Sequence, residues 1–353
     1  MSSSIFNFDH FQGYARLPRT EKRWHLALAC SFLLVALLCR SIPERVYGKY
    51  GCKQETISTA AIAALSERTE VLFIGTSHIL FAIRPERYSM NVMNLGSPGL
   101  SYAGAERLLA KHLERVPNLK VAVIEFDETP LIANTIPSFW LKDPRLFLEL
   151  GLSPTELPPD NALEKLQAVS NSVLYPIFTL PRMTPQGWKS KPINMFQRPP
   201  KGFAPGYLYV DVVMSQEQNP LVLEAFRKME HRAKDQHVVE SNLQALQRTI
   251  DMLRGRGVTV VLMHLPHHRS YWNERPAILA ARWNQLETCI RTRYGKAPGV
   301  LIWDWSQAPA FETHDFCDNH HLNVVGANRL ARLLDGKLRW LCKDRRNSRL
   351  EAE

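Results

Sequence analysis

The chain has 353 residues, 45% of them hydrophobic and 22% charged, with a formal net charge of +10. That length exceeds a usual single domain and that composition supports a sizeable core, which excludes a wholly disordered chain and predicts one large domain with appendages. The basic balance suits nucleic acid in principle, but no zinc-finger spacing, helix-turn-helix signature or RNA-binding aromatic motif accompanies it, so an anionic membrane surface or envelope polymer is the expected partner and nucleic acid is not.

Residues 1–23 carry Arg16, Arg19, Lys22 and Arg23 against Asp9 and Glu21, and Trp24 to Cys39 follows as an apolar run, WHLALACSFLLVALLC. At roughly sixteen residues it is at the short end for a membrane span, with flanking basic side chains able to snorkel. The charge bias predicts a signal anchor over 24–40, a cytoplasmic amino terminus and an exported remainder in the periplasm or outside the cell. No small-x-small cleavage site follows the run, and bulky Leu38 before Cys39 does not suit a lipoprotein cysteine. A stem over 41–68 leads into the main domain. Cys52, Cys289, Cys317 and Cys342 lie in the exported part, where disulfides are permitted, but no C-x-x-C pair occurs and the spacing assigns no partners.

From residue 69 to 341 the pattern alternates strand and helix, the signature of a parallel sheet covered on both faces. Strands are expected at Val71–Ile74, Met90–Leu95, Val121–Phe126, Val258–Met263 and Val300–Trp303, and helices at Ala103–Arg115, Val239–Arg254, Ala277–Tyr294 and Val324–Leu341. The fold class is therefore α/β, a three-layer α/β/α sandwich on a mostly parallel five-stranded sheet. Residues 132–218 break the rhythm with many prolines interleaved with aromatics such as Phe139, Trp140, Phe147, Trp188 and Phe203. Disordered linkers lack so many aromatics, so an ordered insertion is expected, either a lid or a packed excursion. Residues 342–353 form a charged tail.

Within this frame the stretch FIGTSHILFAIRP places Ser77 just past Gly75, at the carboxyl end of the first strand, where open α/β sheets bind ligands. A serine there either attacks substrate or only caps the next helix. As a nucleophile it needs a base, and the base needs a carboxylate to fix its tautomer. Both stand in DNHHLN before the last helix, where Asp318 and His321 are three residues apart. Asp318 can orient the His321 imidazole toward Ser77.

A glycine-turn-serine after the first strand, an N-x-x-x-x-G stretch after the second and D-x-x-H-L-N before the last helix together resemble the SGNH or GDSL-like hydrolase superfamily. With Gly75-Thr76-Ser77 in place of GDS, and with the apolar amino-terminal run, the chain most resembles the envelope branch, which includes the D-alanyl transfer protein of teichoic acid synthesis and acetyltransferase-like proteins of exopolysaccharide assembly. The resemblance covers roughly residues 69–131 and 240–341. It implies Ser77 as nucleophile, His321 as general base and Asp318 as its orienting acid, with His321 preferred to His320 because Leu322 and Asn323 follow it. It implies oxyanion donors from the Ser77 amide and from Gly99, with Gly96 as the alternative. The family's G-x-N-D block is missing: EFDETPL, Glu125 to Leu131, has no asparagine, so a third donor is absent or comes from another residue such as Thr129.

The implied activity is that of a membrane-anchored serine esterase or O-acyltransferase acting on an envelope polysaccharide or glycolipid, with no cofactor. A transferase would require a membrane-bound partner to supply acyl groups. The alternative is an inactive SGNH-like module that binds glycan or scaffolds assembly. His78, Asn94, His264 and His267 are further substrate-binding candidates; no Asp, Glu or Cys stands near HLPHHR, His264 to Arg269, to complete a metal site, and no metal is expected. Arg84, in an Arg-Pro pair, reads as structural, and Glu125 and Asp127 either line the pocket or pair with an arginine.

Overall fold

The computed structural model describes residues 61–134 and 220–350, with the side chains of 226–343 in the second stretch. The expected anchor over 24–40, most of the stem, Cys52 and residues 135–218 of the insertion lie outside the described residues. No described helix is long and apolar enough to cross a membrane.

Five strands form one sheet: β1 (Val71–Ile74), β2 (Val92–Asn94), β3 (Val121–Glu125), β4 (Thr259–His264) and β5 (Val300–Asp304). Their order is β2-β1-β3-β4-β5 and every pairing is parallel, where a mostly parallel sheet was expected. β1 and β3 are buried at every position, which is why they read as continuous apolar runs instead of alternating ones. Period two still sorts their side chains. Leu72, Ile74, Ala122, Ile124, Val260 and Leu262 enter one core, and Val71, Phe73, Val121, Val123, Val261 and Met263 enter the other. Truncating one of these, for instance Leu262→Ala, removes about 2–5 kcal/mol.

Eight α-helices are described: α1 (Ser77–Ala82), α2 (Tyr102–His112), α3 (Glu128–Ile132), α4 (Pro220–Ala233), α5 (Gln236–Gly255), α6 (Arg269–Glu274), α7 (Ala277–Tyr294) and α8 (Val324–Leu350). The first core takes Leu108 of α2, Leu246 and Ile250 of α5 and Leu286 of α7; the second takes Ile79 of α1 and Leu330, Leu334 and Leu338 of α8. Side-chain caps set the starts: Ser101 accepts from Gly104 N at 3.0 Å before α2, and Asp235 from Val238 N at 3.2 Å before α5. Among the described residues no disulfide joins Cys289, Cys317 and Cys342.

The chain leaves β1 for β2 on one side and crosses to β3 on the other. This reversal opens a crevice at the carboxyl ends of β1 and β3, the position where open α/β sheets bind ligands. The turn carrying Ser77 lies at that crevice.

Candidate active site

The Ser77 turn is fixed from below by Glu125, the last residue of β3 and 0% exposed. One carboxylate oxygen accepts the Thr76 amide; the other accepts Thr76 Oγ1 at 2.9 Å and meets His78 Nδ1 at 2.9 Å. Gly75 lies so close to this carboxylate that a Cβ would fall 2.3 Å from Glu125 Oε2 and 2.6 Å from Ile79. Only glycine fits. Thr76 then caps α1 by accepting the His78 amide at 3.3 Å, leaving Ser77 as the first helical residue.

The opposing loop is built on Asn323. Its side chain caps α8 by accepting from Val325 and Gly326, and donates to the carbonyls of His314 and Phe316. Asp318 closes the loop: Oδ1 accepts the amides of His320 and His321 at 2.9 and 2.7 Å, and Oδ2 lies 2.8 Å from His321 Nδ1. His321 Nε2 is 2.8 Å from Ser77 Oγ. With Nδ1–H given to the carboxylate, Nε2 is the acceptor for the serine proton. Burial works against an ionised Asp318, but the neighbouring His320 and His321 rings and the hydrogen bonds hold its carboxyl well below the usual range. The His320 ring lies 4.0 Å from that of His321, tilted by 44°, and burial lowers its pKa to about 3. The side chains of His321 and Asp318 remain 12% and 29% exposed, so the chain Asp318–His321–Ser77 is reachable from solvent.

Beside Ser77 is a cavity of about 50 Å³. His78, Thr129, Asn319 and His320 give it polar walls, and Phe226, Met229 and Tyr271 give it apolar ones. Phe226 and Met229 belong to α4 and Tyr271 to α6, elements for which the sequence offered no site signal.

The other site candidates divide. Gly99 has a positive φ of 65°, and its amide has no partner among the described residues. The Gly96 amide instead donates to Asn94 Oδ1 at 2.7 Å, and a Cβ on Gly96 would meet Leu80 N at 2.4 Å, so the Gly96 amide is already committed whereas that of Gly99 is not. Asn94 is corrected from a substrate contact to a structural clasp: it is 0% exposed, and its amide group donates to the carbonyls of Ile79 and Ile83 at 3.0 and 2.9 Å. Thr129 lines the cavity, but its hydroxyl is given to Asp127 Oδ1 at 3.3 Å. Arg84 is buried between Glu86 and Asn328, as a structural residue should be.

His264 and His267 are likewise corrected. They are 1% and 5% exposed, do not line the cavity, and surround Asp127, which is 0% exposed. Asp127 Oδ1 caps α3 through Thr129 N at 3.0 Å, while Oδ2 stands 3.3 Å from His267 Nε2, 3.4 Å from His264 Nε2 and 4.0 Å from His78 Nδ1. The next carboxylate, Glu128, is separately occupied by Tyr271 Oη at 2.6 Å and Arg275 Nε at 2.8 Å. The metal reading was set aside because no acid lies near HLPHHR in the chain; the fold brings one from the end of β3. Among the described residues three sets of side chains lie close enough to share an ion: His78, His320 and His321; His78, Asp127 and His267; and Asp127, Glu128 and His264.

No protein-family model matches the chain, and no curated protein matches it. Among solved structures, it is similar at 9% identity to a GDSL-like lipase from Bacteroides thetaiotaomicron, over 79% of this chain and 93% of that one, with a TM-score of 0.37. A provisionally named acylhydrolase from Bacteroides fragilis is 12% identical over 80% and 93%, TM-score 0.38. A protein from Streptococcus pneumonia provisionally described as a platelet activating factor is 13% identical over 84% and 99%, TM-score 0.34. At such scores the functional reading rests on the side-chain geometry and not on these likenesses.

Proposed function

We propose that the protein is a serine acyl hydrolase or O-acyltransferase of the SGNH type. One observation carries the reading: Ser77 Oγ, His321 and Asp318 form an unbroken hydrogen-bonded chain, with 2.8 Å at each of the two links through the imidazole. In the first half-reaction His321 Nε2 takes the Ser77 proton as Oγ attacks an acyl carbonyl. The resulting oxyanion is held by the amides of Ser77 and Gly99, and collapse expels the leaving alkoxide, which takes the proton from His321. Water or a sugar hydroxyl then gives its proton to His321 and attacks the acyl-serine; collapse breaks the acyl–Oγ bond and Ser77 Oγ takes the proton back from His321. The basic net charge and the apolar run at 24–40 support a membrane-tethered enzyme facing an anionic envelope glycan or glycolipid, with the acyl donor brought by a membrane partner.

A second reading, a non-catalytic glycan-binding or scaffolding module, draws on the absent asparagine in EFDETPL and on the Thr129 hydroxyl being donated to Asp127. Intact mass of the full chain before and after a fluorophosphonate probe separates the two. A single adduct on the wild type, absent from Ser77→Ala, is the expected result. A folded wild type that takes no adduct sinks the enzyme reading in favour of the binding module.

A further inference from the structure

We propose that Asp127, His267 and His78 bind a divalent transition-metal ion of the zinc class, in a buried site behind the Ser77 cavity. The three residues come from the ends of different strands: His78 from the turn after β1, Asp127 from the end of β3 and His267 from the loop after β4. Each is nine-tenths buried or more, at 3%, 0% and 5% exposure, and they bring one ligand atom apiece within 4.8 Å of one another.

The hydrogen-bond accounting points to a missing partner. Asp127 Oδ2 and both ring nitrogens of His267 and of His264 are buried with no hydrogen bond. Buried polar atoms are almost always paired, and an orphan left without water or an ion costs about 1–3 kcal/mol. His264 Nδ1 also faces Asp304 Oδ1 at 3.6 Å, but one Asp127 oxygen cannot satisfy the other three imidazole nitrogens, so rearranging protons alone leaves orphans. The spacing fits a cation instead. The 3.3 Å between His267 Nε2 and Asp127 Oδ2 is long for a strong hydrogen bond but is the separation of two ligands each about 2.0–2.1 Å from one tetrahedral ion. Asp127 is also ready to act as a single-oxygen ligand, because Oδ1 is committed to capping α3.

Charge agrees with geometry. Among the described residues no lysine or arginine pairs with Asp127; the guanidinium of Arg275 is engaged by Glu128. A buried carboxylate calls for a positive partner. Imidazole and carboxylate donors together suit zinc and its neighbours better than calcium or magnesium.

The flanking residues have the places of an outer shell. His264 sits 3.4 Å from the same Asp127 oxygen, where it can orient the carboxylate, and Glu125 holds His78 through its 2.9 Å contact. The His267 and His268 amides donate to Ser306 and Asn319 carbonyls, so the loop presents its rings from a fixed backbone. The site is distinct from the triad, whose His321 and Asp318 it does not use. An ion there would clamp the ends of β1, β3 and β4 beneath Ser77.

The test strips the full chain with a chelator, re-equilibrates it with Zn²⁺, removes the excess and counts metal by mass spectrometry, then repeats with Co²⁺ and reads the visible ligand-field bands. One equivalent per chain is expected. It should be lost in His267→Gln and Asp127→Asn, weakened 10- to 100-fold in His264→Gln and unchanged in His320→Gln. Anomalous diffraction at the zinc edge from wild-type crystals places the ion without any variant and covers the case in which His267→Gln does not fold. A folded wild type that takes up no Zn²⁺ or Co²⁺, a His267→Gln protein that retains full uptake, an anomalous peak elsewhere, or loss of uptake only in His320→Gln would each overturn the site.

Discussion

Two groups of histidines stand at the same edge of the sheet, only one side chain apart, and they are organised in opposite ways. In the group made by DNHHLN, each polar atom of the pair Asp318–His321 has a named partner and the contacts run in a line to Ser77. In the group made by Asp127, His264 and His267, the closest contacts converge on one Asp127 oxygen, His264 Nδ1 stands 3.6 Å from Asp304 Oδ1, and the ring nitrogens have no hydrogen-bond partner among the described residues. The first keeps some exposure, as a group that must exchange protons with an incoming acceptor requires; the second is closed. A linear chain moves a proton, whereas a convergent cluster holds a cation. His78 touches both, its ring 5.1 Å from His321 and 5.3 Å from His267, so changes on either side can show whether the two are separable.

The largest effect falls on the linear group. Asp318→Asn keeps the shape of the side chain but loses the acceptor that fixes the His321 tautomer, and turnover should fall on the order of 10⁴-fold, about 5.5 kcal/mol of barrier. Single-turnover kinetics on an activated ester measures it, and a loss under tenfold would remove Asp318 from the mechanism. The pH profile sharpens the point. Because the Asp318 pKa is lowered in the folded protein, the carboxylate stays ionised as pH falls through the range where imidazoles gain protons. The acid limb should therefore have unit slope, from one imidazole. A slope of two would mean that a second group titrates with it.

Glu125→Gln comes next, and it acts on both groups at once. The substitution leaves a hydrogen-bonding amide but removes the buried negative charge facing the Thr76 amide, Thr76 Oγ1 and His78. The amide NH₂ that replaces one carboxylate oxygen cannot accept, so one of the buried Thr76 and His78 donors loses its partner at a cost of about 1–3 kcal/mol, read as a lower urea midpoint with the slope unchanged. Zn²⁺ uptake should weaken with it, and unchanged uptake would show that Glu125 acts only through Thr76.

How much of this was legible depended on the range of the interaction. All five strands and the helices α2, α5, α7 and α8 were readable because burial writes itself as apolar runs, whereas α4, 14 residues long, was not expected. The line from Ser77 to Asp318 was readable because the chemistry requires those residue types at sheet-edge loops. The short helices α3 and α6 were not, since five and six residues cannot show a helical period; they exist because Asp127 and His268 cap them. β2 came out shorter than its apolar stretch, with Met90 before it in a bend. Asn94 looked like a site residue and is a clasp, because its carbonyl partners lie at the end of α1, a helix the composition does not announce. The meeting of Asp127 with His264 and His267 was invisible for the same reason: it depends on β3 and β4 being neighbours, which strand prediction alone does not supply.

The smallest effect separates the two glycines of the loop after β2. Gly96→Ala would drive a Cβ into the α1 backbone and should fail through folding. Gly99→Ala keeps the amide and adds the strain of a left-handed residue, φ 65°, worth about 1–2 kcal/mol. If the Gly99 amide holds the oxyanion, that strain is relieved by rotating the peptide, and the rotation turns the N–H away from the acyl group. The stability loss in urea should then stay near 1–2 kcal/mol while turnover falls further than this loss accounts for, toward the hundredfold typical of a missing oxyanion donor. A turnover loss no greater than the change in folded fraction would leave the Ser77 amide to hold the oxyanion without Gly99. It would also make the loop after β2, like Asn94 within it, part of the scaffold alone.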